Sequence, residues 1–262
     1  MSVIIDWISL GLLLLLSLTA YKMRFISFSA SIVSYCISIL IYYAFYWDGL
    51  ILLGVFFITS SLLSKWKNKY KKSMEEIIAK GEIRDSIQVL ANGGIPLLIS
   101  IGSLFFPEFT QWEWLYAVSI ACANSDTWAS EVGTLSRKKP RLFWSFKQVE
   151  TGTSGGITLL GTIAALFGSF LISLFAFILL EQNVEMLFMI SIFGLLGNFI
   201  DTLLGSTVQA KYLCLICGKS TEKGIHCENT TQKIRGIYFM NNDVVNLLSI
   251  CLSTCFFYLF LK

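Results

Sequence analysis

Two aspartates interrupt apolar stretches of the chain where solubility offers no reason for them. Asp126 lies in Ala123-Asn124-Ser125-Asp126-Thr127-Trp128-Ala129-Ser130-Glu131-Val132-Gly133, which closes an apolar run beginning near Trp112. Asp201 closes a second run, in which Gly194, Gly197 or Asn198, Asp201 and Gly205 recur every three or four residues. An ionisable group at such a depth is costly and marks a functional site by default. Small residues let membrane helices pack closely without any chemistry, which accounts for the glycines. It does not account for an Asn-x-x-Asp pair, whose side chains need partners in an apolar setting. At helical spacing Ser130 shares the face of Asp126; Glu131 joins it only where the helix ends, and Gly133 is a suitable terminator. Carboxylates at such a mouth suit Mg2+, which takes one or two of them together with phosphate oxygens. Asp126 and Asp201 are the expected Mg2+ ligands and Glu131 a third catalytic candidate. The alternative is an interfacial carboxylate that merely meets water.

The segment Gly152-Thr153-Ser154-Gly155-Gly156 precedes another apolar run and could supply the phosphate side. Glycines admit a ligand close to the backbone, and the helix start behind them offers free N–H groups. Lys147, just upstream, adds a point charge. The loop is not a Walker loop, since no Gly-Lys-Ser/Thr follows, and an ordinary turn would look similar. Asn92-Gly93-Gly94 reads as its counterpart at an earlier span. Asn241, Asn242, Asp243 and Asn246 mark the start of the last span, where an N-cap explains one of them. Four such groups within six positions exceed what a cap requires. Asn242, Asp243 and Asn246 are therefore assigned, with Asn198 and Ser130, to phosphate or nucleotide binding.

A different chemistry is possible at Cys214-x-x-Cys217 followed by His226-Cys227, which includes the one histidine of the chain. Four soft ligands suit a small tetrahedral zinc site, which would be structural. Adjacent His and Cys ligands are less usual than a separated pair, and free thiols are the alternative; a disulfide is disfavoured in a reducing compartment. Cys36, Cys251 and Cys255 fall in apolar runs and read as packing residues.

The elements that must position these groups are membrane helices. Hydrophobic residues make up 55% of the 262 and charged residues only 14%, against roughly 25% charged in a soluble domain. Runs able to cross ~30 Å of hydrocarbon lie near 4–20, 25–46, 86–106, 113–131, 155–180, 186–206 and 243–261, with a shorter one at 49–63. The first lacks a basic leader and a cleavage site, so it reads as a retained span. Eight spans place all but one of the 20 Lys and Arg residues in alternate loops, leaving only Lys262 opposite. By the positive-inside rule these loops are cytoplasmic and both termini face outward. The expected organisation is an all-α polytopic bundle. Residues 1–85 form three spans and a basic loop, and 86–262 a catalytic membrane domain with a Cys/His loop at 207–242. Residues 92–105 align without gaps to 154–167, and each copy is followed by a span carrying Asp-Thr, so spans four–five and six–seven read as a repeated two-helix unit. The expected surroundings are a lipid bilayer, with no nucleic-acid partner.

Taken together, Asp126 to Gly133, Gly152 to Gly156, Asp201-Thr202-Leu203-Leu204-Gly205, and the tail from Cys214 through Asn242-Asp243-Val244-Val245-Asn246 resemble the integral-membrane family that includes plastid phytyl-phosphate kinases. The resemblance runs from about residue 86 to the end of the chain. The Asp-x-x-Ala-x-x-x-Gly pattern from Asp126 is also similar to that of polyprenol kinases using CTP and of lipid cytidylyltransferases. Val149-Glu150-Thr151 departs from the pattern, since relatives often place prolines there, and Ser154 replaces a common amide or acid. The resemblance implies phosphorylation of a prenyl monophosphate, phytyl-like or polyprenyl, to its diphosphate with a nucleoside triphosphate (CTP by analogy) and Mg2+. A cytidylyltransferase is the nearest enzymatic alternative, and a secondary transporter of a phosphorylated or lipid-headgroup substrate the alternative from another class.

Overall fold

The computed structural model describes residues 6–66, 83–181 and 183–262. Seven helices dominate it: α1 (Trp7–Lys22), α2 (Phe28–Trp66), α3 (Ser86–Phe105), α4 (Trp112–Gly133), α5 (Leu159–Leu179), α6 (Val184–Thr207) and α7 (Asn242–Phe260). Five of these, α2, α3, α5, α6 and α7, are long and apolar enough to cross a membrane. The protein is an all-α polytopic membrane bundle.

The short run at 49–63 is resolved by a break in α2. Tyr46 has φ of 50°, outside the helical region. A methyl group placed on Gly49 would lie 3.1 Å from Ile41, whereas eight residues of straight helix would separate the two by about 12 Å. The chain therefore reverses at Tyr46. The reversal brings the far end of α2 back to the start of its first half, where Lys65 Nζ donates to Met23 O at 2.8 Å. With α2 counted as two antiparallel halves there are eight helical segments, as the alternation of basic loops requires. The basic stretch 67–82 lies outside the described residues.

Local chemistry fixes the helix starts. Asp85 and Gln88 form a reciprocal capping box at α3, which satisfies two N–H groups that the first turn leaves unpaired. Thr158, Asn183 and Asn241 cap α5, α6 and α7 through their side-chain oxygens.

Helix α4 is the axis of the bundle and packs against α2, α3, α5, α6 and α7. Residues Leu115 to Ser125 are buried without interruption. A helix enclosed on all sides can carry small and polar residues because its neighbours, not lipid, meet them. Asn124 uses both ends of its amide: Nδ2 donates to Gly168 O at 2.7 Å, and Oδ1 accepts from Thr59 and Ser60 at 3.3 Å. Ser125 donates to Ala165 O at 2.9 Å. Glycines set the closest crossings, for a methyl group on Gly194 would overlap Ser169 and one on Gly197 would lie 2.6 Å from the Cys122 sulfur.

The repeated unit is only partly upheld. Hairpins α3–α4 and α5–α6 exist, and Asp126 and Asp201 each lie near the end of the second helix. The two Gly-Gly pairs are not equivalent. Gly93 and Gly94 lie inside α3, two turns from its start, whereas Gly155 and Gly156 precede α5. Methyl groups on Gly93 and Gly94 would lie 3.4 Å from Ile37 and 3.3 Å from Leu247. Those glycines serve the packing of α3 against α2 and α7, and their amides belong to the helix ladder rather than to a phosphate cradle.

Short strands occupy the connections at the end where the basic loops gather. Strand β1 (Arg141–Leu142) pairs antiparallel with β2 (Gly156–Ile157). Between α6 and α7 run β3 (Lys211–Leu213), β4 (Ser220–Thr221), β5 (Ile225–His226), β6 (Asn229–Thr230) and β7 (Gln232–Arg235), with sheet order β4-β3-β7 and a separate β5–β6 hairpin.

Candidate functional site

A cavity of about 500 Å³ opens at the end of the bundle that bears the basic loops. Its walls come from nearly every motif singled out above: Asp126, Ser130 and Glu131 from α4, Asn198 and Asp201 from α6, Gly152 to Gly156 from the loop before α5, and Asn242, Asp243 and Asn246 from α7. Asn92 lines it as well, with its amide donating to Gln88 O at 3.1 Å.

The two aspartates are held by amides from neighbouring turns. Asn198 Nδ2 donates to Asp126 Oδ1 at 3.1 Å, linking α6 to α4 one turn below Asp201. Ser249 Oγ lies 3.3 Å from Asp201 Oδ2. Asn246, with its amide nitrogen turned toward α6, donates to the same oxygen at 3.0 Å and to Asn242 O at 3.1 Å. Asp126 and Asp201 are near enough to repel one another electrostatically, and Glu222 adds to the charge felt by Asp201. Glu131 is steadied from the other side by Ser64, whose hydroxyl donates to Oε1 at 2.8 Å.

The glycine loop reaches the aspartates because three glycines let backbones meet at two places. At the α4–α5 crossing a methyl on Gly133 would lie 3.2 Å from Gly161 Cα, and the Thr158 hydroxyl donates to Gly133 O at 3.3 Å. Gly155, at φ of +75°, presses directly on the backbone of Ser206 in α6. Ser154 lies at the centre of a polar cluster: it donates to Glu222 in a short hydrogen bond and accepts from Gln209 Nε2 at 2.8 Å.

Two assignments fail on position. Lys147 is exposed and does not line the cavity; it sits in the turn after β1, where its carbonyl accepts from Leu142 N at 3.0 Å. Gly93 and Gly94 are likewise absent from the wall, for the packing reason given above. Asn241 is the N-cap of α7, its side chain accepting from Val244 N at 3.0 Å, and it lines the cavity together with Asn242, Asp243 and Asn246.

Among the described residues, the basic side chain in the wall is Arg84, just before α3. Its backbone is pinned to the α1–α2 connection by Ser27 N donating to Arg84 O at 2.9 Å and Arg84 N to Phe25 O at 3.2 Å. Burial lowers its pKa from the usual guanidinium value and the charge of Glu131 opposes that shift, so the group stays cationic. In sequence it is one of several basic residues in the 65–84 stretch, and only the Asp85–Gln88 cap beside it hints at a fixed position. Glu222 and Gln209 were also missed, because polar residues in a polar loop carry no periodic signal.

Among the described residues the wall presents five carboxylates, from Asp126, Glu131, Asp201, Glu222 and Asp243, and one guanidinium, from Arg84. Carboxylate and amide oxygens are hard ligands that fit Mg2+.

Away from the cavity, Cys214, Cys217, His226 and Cys227 bring their ligand atoms within 4.8 Å of one another. His226 Nδ1 lies 3.5 Å from the Cys217 sulfur and 3.2 Å from that of Cys227. The Cys214 thiol is lowered to about 6, first by the Cys217 N–H directed at its sulfur, whereas lost solvation and the neighbouring thiols push Cys227 up to about 11.

Comparison with known proteins places the chain among integral membrane proteins. The model of the family described as integral membrane protein DUF92 matches residues 11–254. Protein PGR of Arabidopsis thaliana is 31% identical over 265 residues, covering 92% of this chain and 90% of its own length. An uncharacterized membrane protein of Methanocaldococcus jannaschii is 36% identical over 208 residues, 78% of this chain and 84% of its own. Protein VTE6, chloroplastic, of Arabidopsis thaliana is 26% identical over 210 residues, 79% of this chain and 56% of its own. No solved structure matches. With almost its whole length covered by the family model, the chain belongs to the integral membrane protein DUF92 family.

Proposed function

We propose that this protein is a membrane phosphotransferase that converts a prenyl monophosphate to its diphosphate with a nucleoside triphosphate, CTP by analogy, and Mg2+. The observation that carries the reading is the meeting of Asp126 and Asp201 with the Gly152–Gly156 loop and Arg84 around one cavity. The motif resemblance to plastid phytyl-phosphate kinases supports the substrate class. By the positive-inside rule the cavity faces the cytoplasm, where nucleotides are, and both termini face outward.

In this reading Asp126 and Asp201 hold Mg2+, which neutralises charge on the donor phosphates. In the Gly152–Gly156 loop the N–H groups of Gly152 and Ser154 orient those phosphates, since those of Thr153 and Gly156 donate to Glu150 O and Thr153 O. Arg84 and the amides of Asn198 and Asn242 bind the remaining oxygens, while Asn246 holds Asp201 in place. An oxygen of the prenyl monophosphate attacks the terminal phosphorus of the donor, the bond to the bridging oxygen breaks, and the nucleoside diphosphate leaves. Catalysis of this kind consists mainly of alignment and charge neutralisation, and the wall contains groups for both.

The test uses purified protein, a panel of prenyl monophosphates, and CTP labelled in either the alpha or the terminal phosphate. The terminal label should enter the lipid product. Alpha label retained in the lipid would instead make the protein a cytidylyltransferase, and no diphosphate from any pair would reject the kinase. Asp126→Asn and Asp201→Asn should each abolish turnover; survival of activity in both would reject the site assignment alone.

A further inference from the structure

We propose that Cys214, Cys217, His226 and Cys227 hold a structural zinc ion, and that this metal fixes the α6–α7 connection as a latch on the glycine loop. A tetrahedral ion with bonds of about 2.0–2.3 Å sets its ligand atoms roughly 3.3–3.8 Å apart. The 3.2 and 3.5 Å separations around His226 Nδ1 are close to that spacing.

Both turns are shaped to present the ligands. After Cys217, Gly218 takes φ of +70° and returns its N–H to Cys214 O at 2.9 Å. In the β5–β6 hairpin, where His226 pairs with Asn229, the two turn residues are Cys227 and Glu228, with φ of 50° and 61°. A two-residue turn with both φ positive ordinarily selects Asn-Gly. Here Cys and Glu occupy it, a conformation that the turn sequence itself does not favour and that carries the Cys227 sulfur to the other three ligands.

The connection also lacks an apolar core that could hold it. Strands β4, β5 and β6 are two residues each, and Leu215, Ile216 and Ile225 are exposed, while Cys214 is buried. Small units without a core are commonly ordered by a metal instead.

What the metal would secure is the position of Glu222. It lies between the two ligand pairs, and its carboxylate accepts from Ser154 of the glycine loop. The ends of the connection are tied to the same place: Gln209 donates to Ser154 at 2.8 Å, and Arg235 Nη2 donates to Gly205 O at 3.0 Å. With the turns fixed, Glu222 holds Ser154 and the loop stays seated on α6.

The experiment uses the whole chain in nanodiscs, and none of its three readouts is turnover, so it stands or falls apart from the proposed reaction. Elemental analysis should find about one zinc per chain, and cobalt exchanged into wild type should give the intense thiolate-to-metal absorption of a tetrahedral site. Stripping the metal with a strong chelator should raise hydrogen exchange in residues 211–235 and also in 151–156. Glu222→Gln should keep the metal yet raise exchange in 151–156. Substoichiometric zinc with no cobalt spectrum overturns the metal site. Bound zinc with unchanged exchange in 151–156 after stripping overturns the latch.

Discussion

Gly155 is the position at which a single methyl group should do most damage to the cavity wall. Its φ of +75° is one that an L-residue adopts at a cost of about 1–2 kcal/mol, and the added carbon would overlap the backbone of Ser206, not the tip of a flexible side chain. Forced overpacking of that kind costs about 1–3 kcal/mol, so Gly155→Ala should lose roughly 2–5 kcal/mol in all. If the loop yields instead of the fold, a shift on the order of 1 Å should lower turnover about 10²-fold. Two further glycines separate the contributions. Gly218 has φ of +70° but nothing within 4 Å of an added carbon, and Gly224 has open space around it. Gly218→Ala should cost only the conformational part, about 1–2 kcal/mol, and Gly224→Ala should stay within about 0.5 kcal/mol of wild type. Denaturant unfolding in detergent and steady-state turnover on the same preparations make the comparison. Equal behaviour of Gly155→Ala and Gly224→Ala in both assays would refute the account of how the loop is seated.

Three other substitutions probe separate parts of the structure. Arg84→Gln should raise KM for the phosphorylated substrate by on the order of 10–100-fold, the worth of one charged hydrogen bond, with little loss of folded protein; an unchanged KM would remove Arg84 from the site. Asn124→Ala removes a buried amide that serves three partners and should cost about 1–3 kcal/mol in unfolding measurements. Gly194→Ala drives a methyl into Ser169 and to 2.7 Å from Ala121, and should destabilise the α4–α6 contact by about 1–3 kcal/mol; wild-type stability would mean that these helices do not pack as described.

The parts of the site that could be read from sequence were those where a polar residue contradicts its surroundings. Asp126, Asn198 and Asp201 stand out because apolar helices surround them, and all three line the cavity. Arg84 and Glu222 lie in loops with several other charged residues and no periodic pattern, so nothing in their neighbours distinguishes them. Lys147 shows the converse, a charge near the right motif in sequence that the β1 turn carries to the surface. Gly93-Gly94 and Gly155-Gly156 are alike as letters, yet one pair permits helices to touch and the other lets a loop take positive φ; only the position of the helix start tells them apart. The reversal at Tyr46 falls where the apolar runs 25–46 and 49–63 part at Trp47-Asp48, and the charge alternation demanded a turn there.

The half of the bundle away from the cavity has its own consequence. Ile41, Phe45, Leu52, Leu115 and Tyr116 are buried there in one continuous cluster, and the Tyr116 hydroxyl donates to Gly49 O at 2.7 Å across the Tyr46 reversal. Ten residues of α4, about 15 Å, separate Tyr116 from Asp126. Between those two residues the buried polar side chains of α4 are committed to backbone carbonyls: Ser119 donates to Tyr116 O at 2.7 Å, Asn124 to Gly168 O at 2.7 Å and Ser125 to Ala165 O at 2.9 Å. Asn124 and Ser125, below the carboxylates, thus bind helix to helix, and the apolar cluster closes the end of the bundle opposite the cavity.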